Sequence, residues 1–170
     1  MATTYTLIAS ATVGSGGAAN IEFTSIPATY TDLCLKFSTR HNGATDINAM
    51  FVTFNGSTTN YTVRWLEGNG STTSSTNSTN RYGGLDNGAN TTSNTFSNSE
   101  IYIPNYAGNT NKSFSVDSVA ENNATLGVQW LVAGLWSDTS AITSIKIQPD
   151  NVTRNYVQYS TAYLYGISNS

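Results

Sequence analysis

A single histidine bounds the catalytic options of this chain. His41 lies in Arg40-His41-Asn42-Gly43, a turn-like tetrapeptide. No nucleophile or orienting carboxylate stands near it in a pattern that would support Ser-His-Asp or Cys-His chemistry. Read locally, it is a surface histidine in a turn. Zinc would need several His or Cys ligands, and the chain has one of each. Calcium needs clustered oxygen ligands; Asp86-Asn87 and Asp150-Asn151 are isolated pairs of the kind that make turns. Glycoside hydrolysis needs two carboxylates facing each other across a groove, and none of the ten acidic residues is marked by its surroundings as half of such a pair. Gly14-Ser15-Gly16-Gly17 lacks the lysine and the following helix of a phosphate-cradling loop. The expectation is no enzyme, with no catalytic residue, metal or cofactor site.

Aromatic side chains are the remaining chemical lead. Trp65, Trp130, Trp136 and the tyrosines could line a sugar-binding face, because a pyranose stacks its apolar side on flat rings. The apolar neighbours of Trp130 and Trp136 assign those two to the core. Tyr159, Tyr163 and Tyr165 fit either a core ladder or a contact face. Cys34, the only cysteine, sits in the strand-like Asp32-Leu33-Cys34-Leu35-Lys36-Phe37 as a small buried residue and not as a reactive thiol.

The elements that position these residues read as strands. Thr125–Pro149 is predicted to hold two, joined by a polar turn at Ser137-Asp138-Thr139-Ser140. The first is apolar on both faces (Leu126, Val128, Trp130, Val132 and Trp136 against Leu131, Ala133 and Leu135), which predicts a central strand between layers. The second alternates Ile145 and Ile147 with Ser144 and Lys146. Alternation also marks Thr3–Val13, Asn20–Ile26, Asp32–Thr39, Lys112–Ala120 and the final Val157–Ile167. Ile47–Phe54 is apolar on both faces, Asn55-Gly56 is a turn signal, and Tyr61–Leu66 and Glu100–Pro104 complete the set. Residues 68–94 are almost free of apolar side chains and read as a long surface loop inserted between strands, with Arg81-Tyr82-Gly83-Gly84-Leu85 as an island that has something to bury.

Composition agrees. Charged residues make up only 10% of the chain, against roughly 25% in an average soluble domain; Ser, Thr, Asn and Gly stand in their place, which suits short strands and many turns. The fold expected is all-β: one antiparallel β-sandwich over residues 1–170, of jelly-roll type, with about eight to ten strands and one long loop. A net charge of -3 and scattered basic residues exclude a phosphate-backbone binder of nucleic acid. No apolar run reaches the ~20 residues of a membrane helix. The opening residues lack the basic and apolar regions of a signal peptide, which predicts synthesis in the cytoplasm.

The opening TYTLIASATVGSGGAANIEFTSIPATYTDLCLKFSTR, the VTFNGS turn, the EIYIPNYAGNTNKSFSVDSVAENN segment and the closing YVQYSTAYLYGI resemble small β-sandwich structural proteins of tailed bacteriophages, the aquatic ones in particular. The resemblance spans nearly the whole chain except residues 68–94, and its motifs describe strands and turns, so no catalytic residues are carried over. It implies a virion structural protein and leaves its position on the particle open. A low-charge sandwich covered in Ser, Thr and Asn suits the outside of a particle, so the first expectation is a capsid decoration (cement) protein on the capsid exterior, a homo-oligomer of trimer type bridging major capsid subunits. Interface residues expected on that basis are Arg81, Tyr82 and Leu85, with Thr3, Tyr5 and Leu7 of the first strand. The alternative it leaves open is a tail or head fibre module that binds host-surface glycans.

Overall fold

Lys112–Glu121 shows how the sequence builds this fold. Its side chains alternate strictly between buried and exposed over ten residues, the two-residue period of a strand with one face in the core and one in water. In a computed structural model, described over residues 4–122 and 124–168, twelve strands and no helix form two antiparallel sheets. In chain order they are β1 (Tyr5–Thr12), β2 (Ile21–Phe23), β3 (Asp32–Ser38), β4 (Ile47–Phe54), β5 (Tyr61–Gly68), β6 (Thr73–Ser78), β7 (Tyr82–Asn87), β8 (Asn98–Pro104), β9 (Lys112–Glu121), β10 (Gly127–Trp136), β11 (Ile145–Pro149) and β12 (Thr161–Ile167).

The large sheet has the order β1-β12-β3-β8-β9-β10-β5-β6 and the small one β2-β11-β4-β7. The pairs β1·β12, β2·β11, β3·β8 and β4·β7 are all antiparallel. They are nested in sequence, so the chain is one long antiparallel ribbon rolled into two facing sheets. That is the jelly roll expected from the alternation. Two hairpin-sized additions widen the large sheet only: β9–β10, and β5–β6 at the tip of the ribbon.

Between the sheets lie Leu33, Leu35, Phe37, Ile101, Phe114, Val116, Val132 and Leu164 from one side and Phe23, Met50, Val52, Phe54, Ile145 and Ile147 from the other. Each fully buried apolar side chain of this size stabilises the fold by about 1.5–3 kcal/mol. Trp130 and Trp136 are buried, as their neighbours predicted. At one end Phe54 packs edge-on to Phe114 and against Trp136, while Tyr61 stacks on Trp136. The sheets approach closely at Gly84, whose φ of 136° and lack of a side chain leave room for Ser99 and Ser118 opposite.

The structure corrects four expectations. β10 and β11 are not a hairpin; they lie in different sheets, and residues 137–144 cross between them, with Ile142 buried on the way. Periodicity identifies a strand but not its partner. Second, β10 does not lie between layers. Its Leu131 face looks outward. Third, residues 68–94 hold β6 and β7. β6 is fixed by its ladder to β5 and needs no apolar face. β7 carries Gly83 and Gly84, whose missing side chains let it settle onto β8, β9 and β10. Fourth, His41 is fully buried, because an antiparallel bridge to Tyr156 draws its turn into the end of the sandwich.

Candidate functional site

The outward face of the large sheet is uncovered, and it is apolar toward the β6 edge, on β10 and β5. Register places Leu66 of β5 opposite Leu131 of β10, and Leu131 opposite Asp117 of β9; the next row runs Arg64, Ala133, Ser115. Leu66 is 58% and Leu131 48% exposed, and Val119 is also exposed nearby. The small side chains of Ser75, Ser115 and Ala133 flank the leucines, leaving a shallow concavity of about 470 Å³. Arg64 and Asp117 stand at diagonal corners of this patch. A leucine gains from leaving water, which makes this uncovered leucine pair the candidate contact surface of the chain.

The same face continues across the sheet. Lys36 and Glu100 form an ion pair at 2.6 Å, which holds the lysine above its ordinary pKa, chiefly by the hydrogen bond from its ammonium. Tyr102 donates to Asp32 at 2.6 Å, and that bond, with burial, pushes its phenol up to about 12. Cys34 lies between Tyr102 and Tyr165 in register, fully buried. Burial and Glu100 push its thiol up to about 11, which keeps it protonated and inert. At the far edge Tyr5 packs edge-on to Tyr165, with Leu7 and Tyr163 exposed beside them. The face thus has a leucine end and a tyrosine end with an ion pair between.

The sequence-predicted interface residues do not converge. Tyr5 and Leu7 are exposed, on the outward face of β1; Thr3 lies outside the described residues. Arg81 and Tyr82 are half-buried near the opposite edge. Arg81 sits 4.3 Å from the Phe51 ring centroid and donates to Thr53. Tyr82 stacks on Phe51 and meets Trp65 and Trp130 edge-on. Leu85 is 2% exposed and belongs to the core, so it cannot touch a neighbouring subunit. Its pairing opposite Ala49 in β4 is what takes it inside. Leu66, Leu131 and Val119 were missed. Their signal in the sequence is the second apolar face of β10, a pattern that a buried strand shares.

Trp65 is half-buried and stacked on Trp130 at 5.1 Å between ring centroids, and Trp130 donates to Glu67 at 2.8 Å. Their rings therefore serve each other. Glu67 shares a groove between the sheets with Asp46, Asp150 and Trp130; Asp150 is paired with Arg154 at 2.9 Å. Among the described residues no three His, Cys, Asp or Glu side chains are grouped to hold a metal.

A polar cluster fills the other end of the sandwich. Arg40 donates to the carbonyls of Ala89, Thr91, Thr92 and Thr95 and so fastens the segment after β7. Asp86 accepts from the Thr39 hydroxyl. Complete burial pushes its carboxyl up to about 7, the Thr39 bond opposing. His41 accepts from the Gly43 N–H at Nδ1, and burial, with Arg154 and Arg40 nearby, holds it down to about 4. Both groups are sealed from solvent. They organise the interior of this end of the sandwich.

Comparison with known proteins adds no relative: no family model, no curated protein and no solved structure matches the chain.

Proposed function

We propose that this chain is a structural protein of a tailed-bacteriophage virion, a decoration protein that binds the outside of the major capsid shell and stabilises it. The observation that carries the reading is the uncovered leucine pair Leu66–Leu131 on an otherwise well-packed sandwich. Together with the likeness of its strand and turn segments to phage structural proteins, it favours docking over chemistry. The outward face of the large sheet lies on the shell, with Leu66 and Leu131 filling apolar depressions and Arg64 and Asp117 setting orientation. Many copies on one shell then hold neighbouring capsid subunits together, each through a modest contact.

Co-sedimentation of the purified protein with expanded shells tests this. Saturable binding at a fixed ratio to capsid subunits, lost in Leu66→Asp/Leu131→Asp, is expected. Absence of binding to shells would reject the reading.

The second reading, a fibre module that binds host-surface glycans, is favoured by Tyr159, 64% exposed, with Tyr163 also exposed. Against it, Trp65 is engaged by Trp130. Glycan binding that disappears in Tyr159→Ala/Tyr163→Ala, with no affinity for shells, would move the assignment there.

A further inference from the structure

Sheet edges expose unpaired backbone donors and acceptors, and folded proteins normally blunt them with bulges, brevity or burial. Three of the four edges here are blunted. β1 carries a register shift between Leu7 and Ala9. β2 is three residues long. β7 has five of its six residues buried, its pairing with β4 slips between Met50 and Phe51, and an Arg40 bridge engages its end at Asn87. β6 has none of these devices. It pairs in unbroken register with β5 over six residues, from Val63↔Ser78 to Gly68↔Thr73. Five of its six residues are exposed and the sixth is partly so. Its sequence, Thr-Ser-Ser-Thr-Asn-Ser, has no proline and no charge.

We infer that β6 pairs with β6 of a second copy of this chain, antiparallel, joining two large sheets into one. The occupant follows from the strand itself. An antiparallel homotypic pair sets identical segments against each other, which a charged edge would oppose by like-charge contact; Thr73–Ser78 brings none. Thr and Ser side chains opposite one another add cross-strand hydrogen bonds. The two-fold axis stands perpendicular to the sheet, so outward residues Thr73, Ser75 and Asn77 meet outward residues of the partner. The Leu66–Leu131 patches of both copies consequently lie on the same side of the joined sheet. If the shell-docking reading above holds, this pairing makes the protein bivalent; the pairing itself does not depend on that reading. An edge of this kind builds a two-fold pair, where the sequence led us to expect three copies.

The test is solution mass by light scattering at tens of micromolar, with no shell present. Wild-type protein is expected at twice the chain mass of 18.1 kDa. Ser75→Lys/Asn77→Lys, two exposed positions, is expected at the single chain mass, folded, with a thermal midpoint that no longer rises with protein concentration. Mixing it with Ser75→Glu/Asn77→Glu should restore the doubled mass. A wild-type protein at one or three chain masses overturns the inference, as does a lysine variant that still doubles.

Discussion

Leu66 and Leu131 leave apolar surface in water that burial would reward by about 1.5–3 kcal/mol for a whole leucine side chain. Replacing either with aspartate therefore removes nothing from the core. The expected cost in unfolding free energy is about 1 kcal/mol, from the lost cross-strand leucine pair and, in Leu131→Asp, the like charge set opposite Asp117, read from urea titrations, while shell binding is lost. Loss of folding in these variants would mean that the leucines are structural. Asp86 and His41 behave in the opposite way, because both are sealed. The folded pKa of Asp86 is raised from 3.8 to about 7, so its stabilising contribution is complete below 3.8 and is lost as pH rises through about 7. The folded pKa of His41 is lowered from 6.5 to about 4, so its contribution is complete above 6.5 and is lost as pH falls through about 4. Between those values the two trends oppose each other. Asp86→Asn, which keeps the shape and removes the ionisation, should gain stability relative to wild type between pH 4 and pH 8 in denaturant titrations. A difference independent of pH would contradict the raised value. Neither residue announced this in the sequence. Asp86-Asn87 and His41-Asn42-Gly43 are turn-like by composition; the long-range ladder of β7 to β4 takes in Asp86, and the bridge to Tyr156 takes in His41.

At the scale of elements, legibility follows the source of each strand's stability. β9 and β12 were visible because one apolar face repeats at every second residue. β6 was invisible because its backbone ladder to β5 holds it, and no side-chain pattern records a ladder. β7 was hidden by Gly83 and Gly84, which weaken a strand by propensity yet here permit the close approach of the sheets. β10 was seen as a strand but misplaced, since an apolar second face is the mark of a buried strand and of a docking strand alike. Gly134 of β10 gives an element-level prediction. An added Cβ there would lie 2.1–2.5 Å from Phe114 ring atoms. Gly134→Ala should destabilise the fold by about 1–3 kcal/mol through overpacking, measured by thermal unfolding, and Gly134→Ala with Phe114→Leu should recover part of it. No cost in the single variant would show that the ring moves freely. Trp136→Ala, which empties the Phe54–Tyr61–Trp136 cluster, should cost about 3–5 kcal/mol in the same assay.

For the whole molecule, the unequal sheets carry the meaning. A jelly roll needs eight strands, and this chain spends four more on widening one sheet. β9 and β10 carry Asp117, Val119 and Leu131. β5 supplies Leu66, and β6 finishes with an unblunted edge. The additions thus coincide with the outward patch and with the proposed pairing edge, and leave the rolled ribbon unchanged. The most direct measurement is a cryo-electron-microscopic reconstruction of expanded shells saturated with the protein. The account predicts density for the sandwich seated with β5, β10 and β9 against the capsid surface. Density seated through the small sheet or the tyrosine end, or a bare shell, would contradict it.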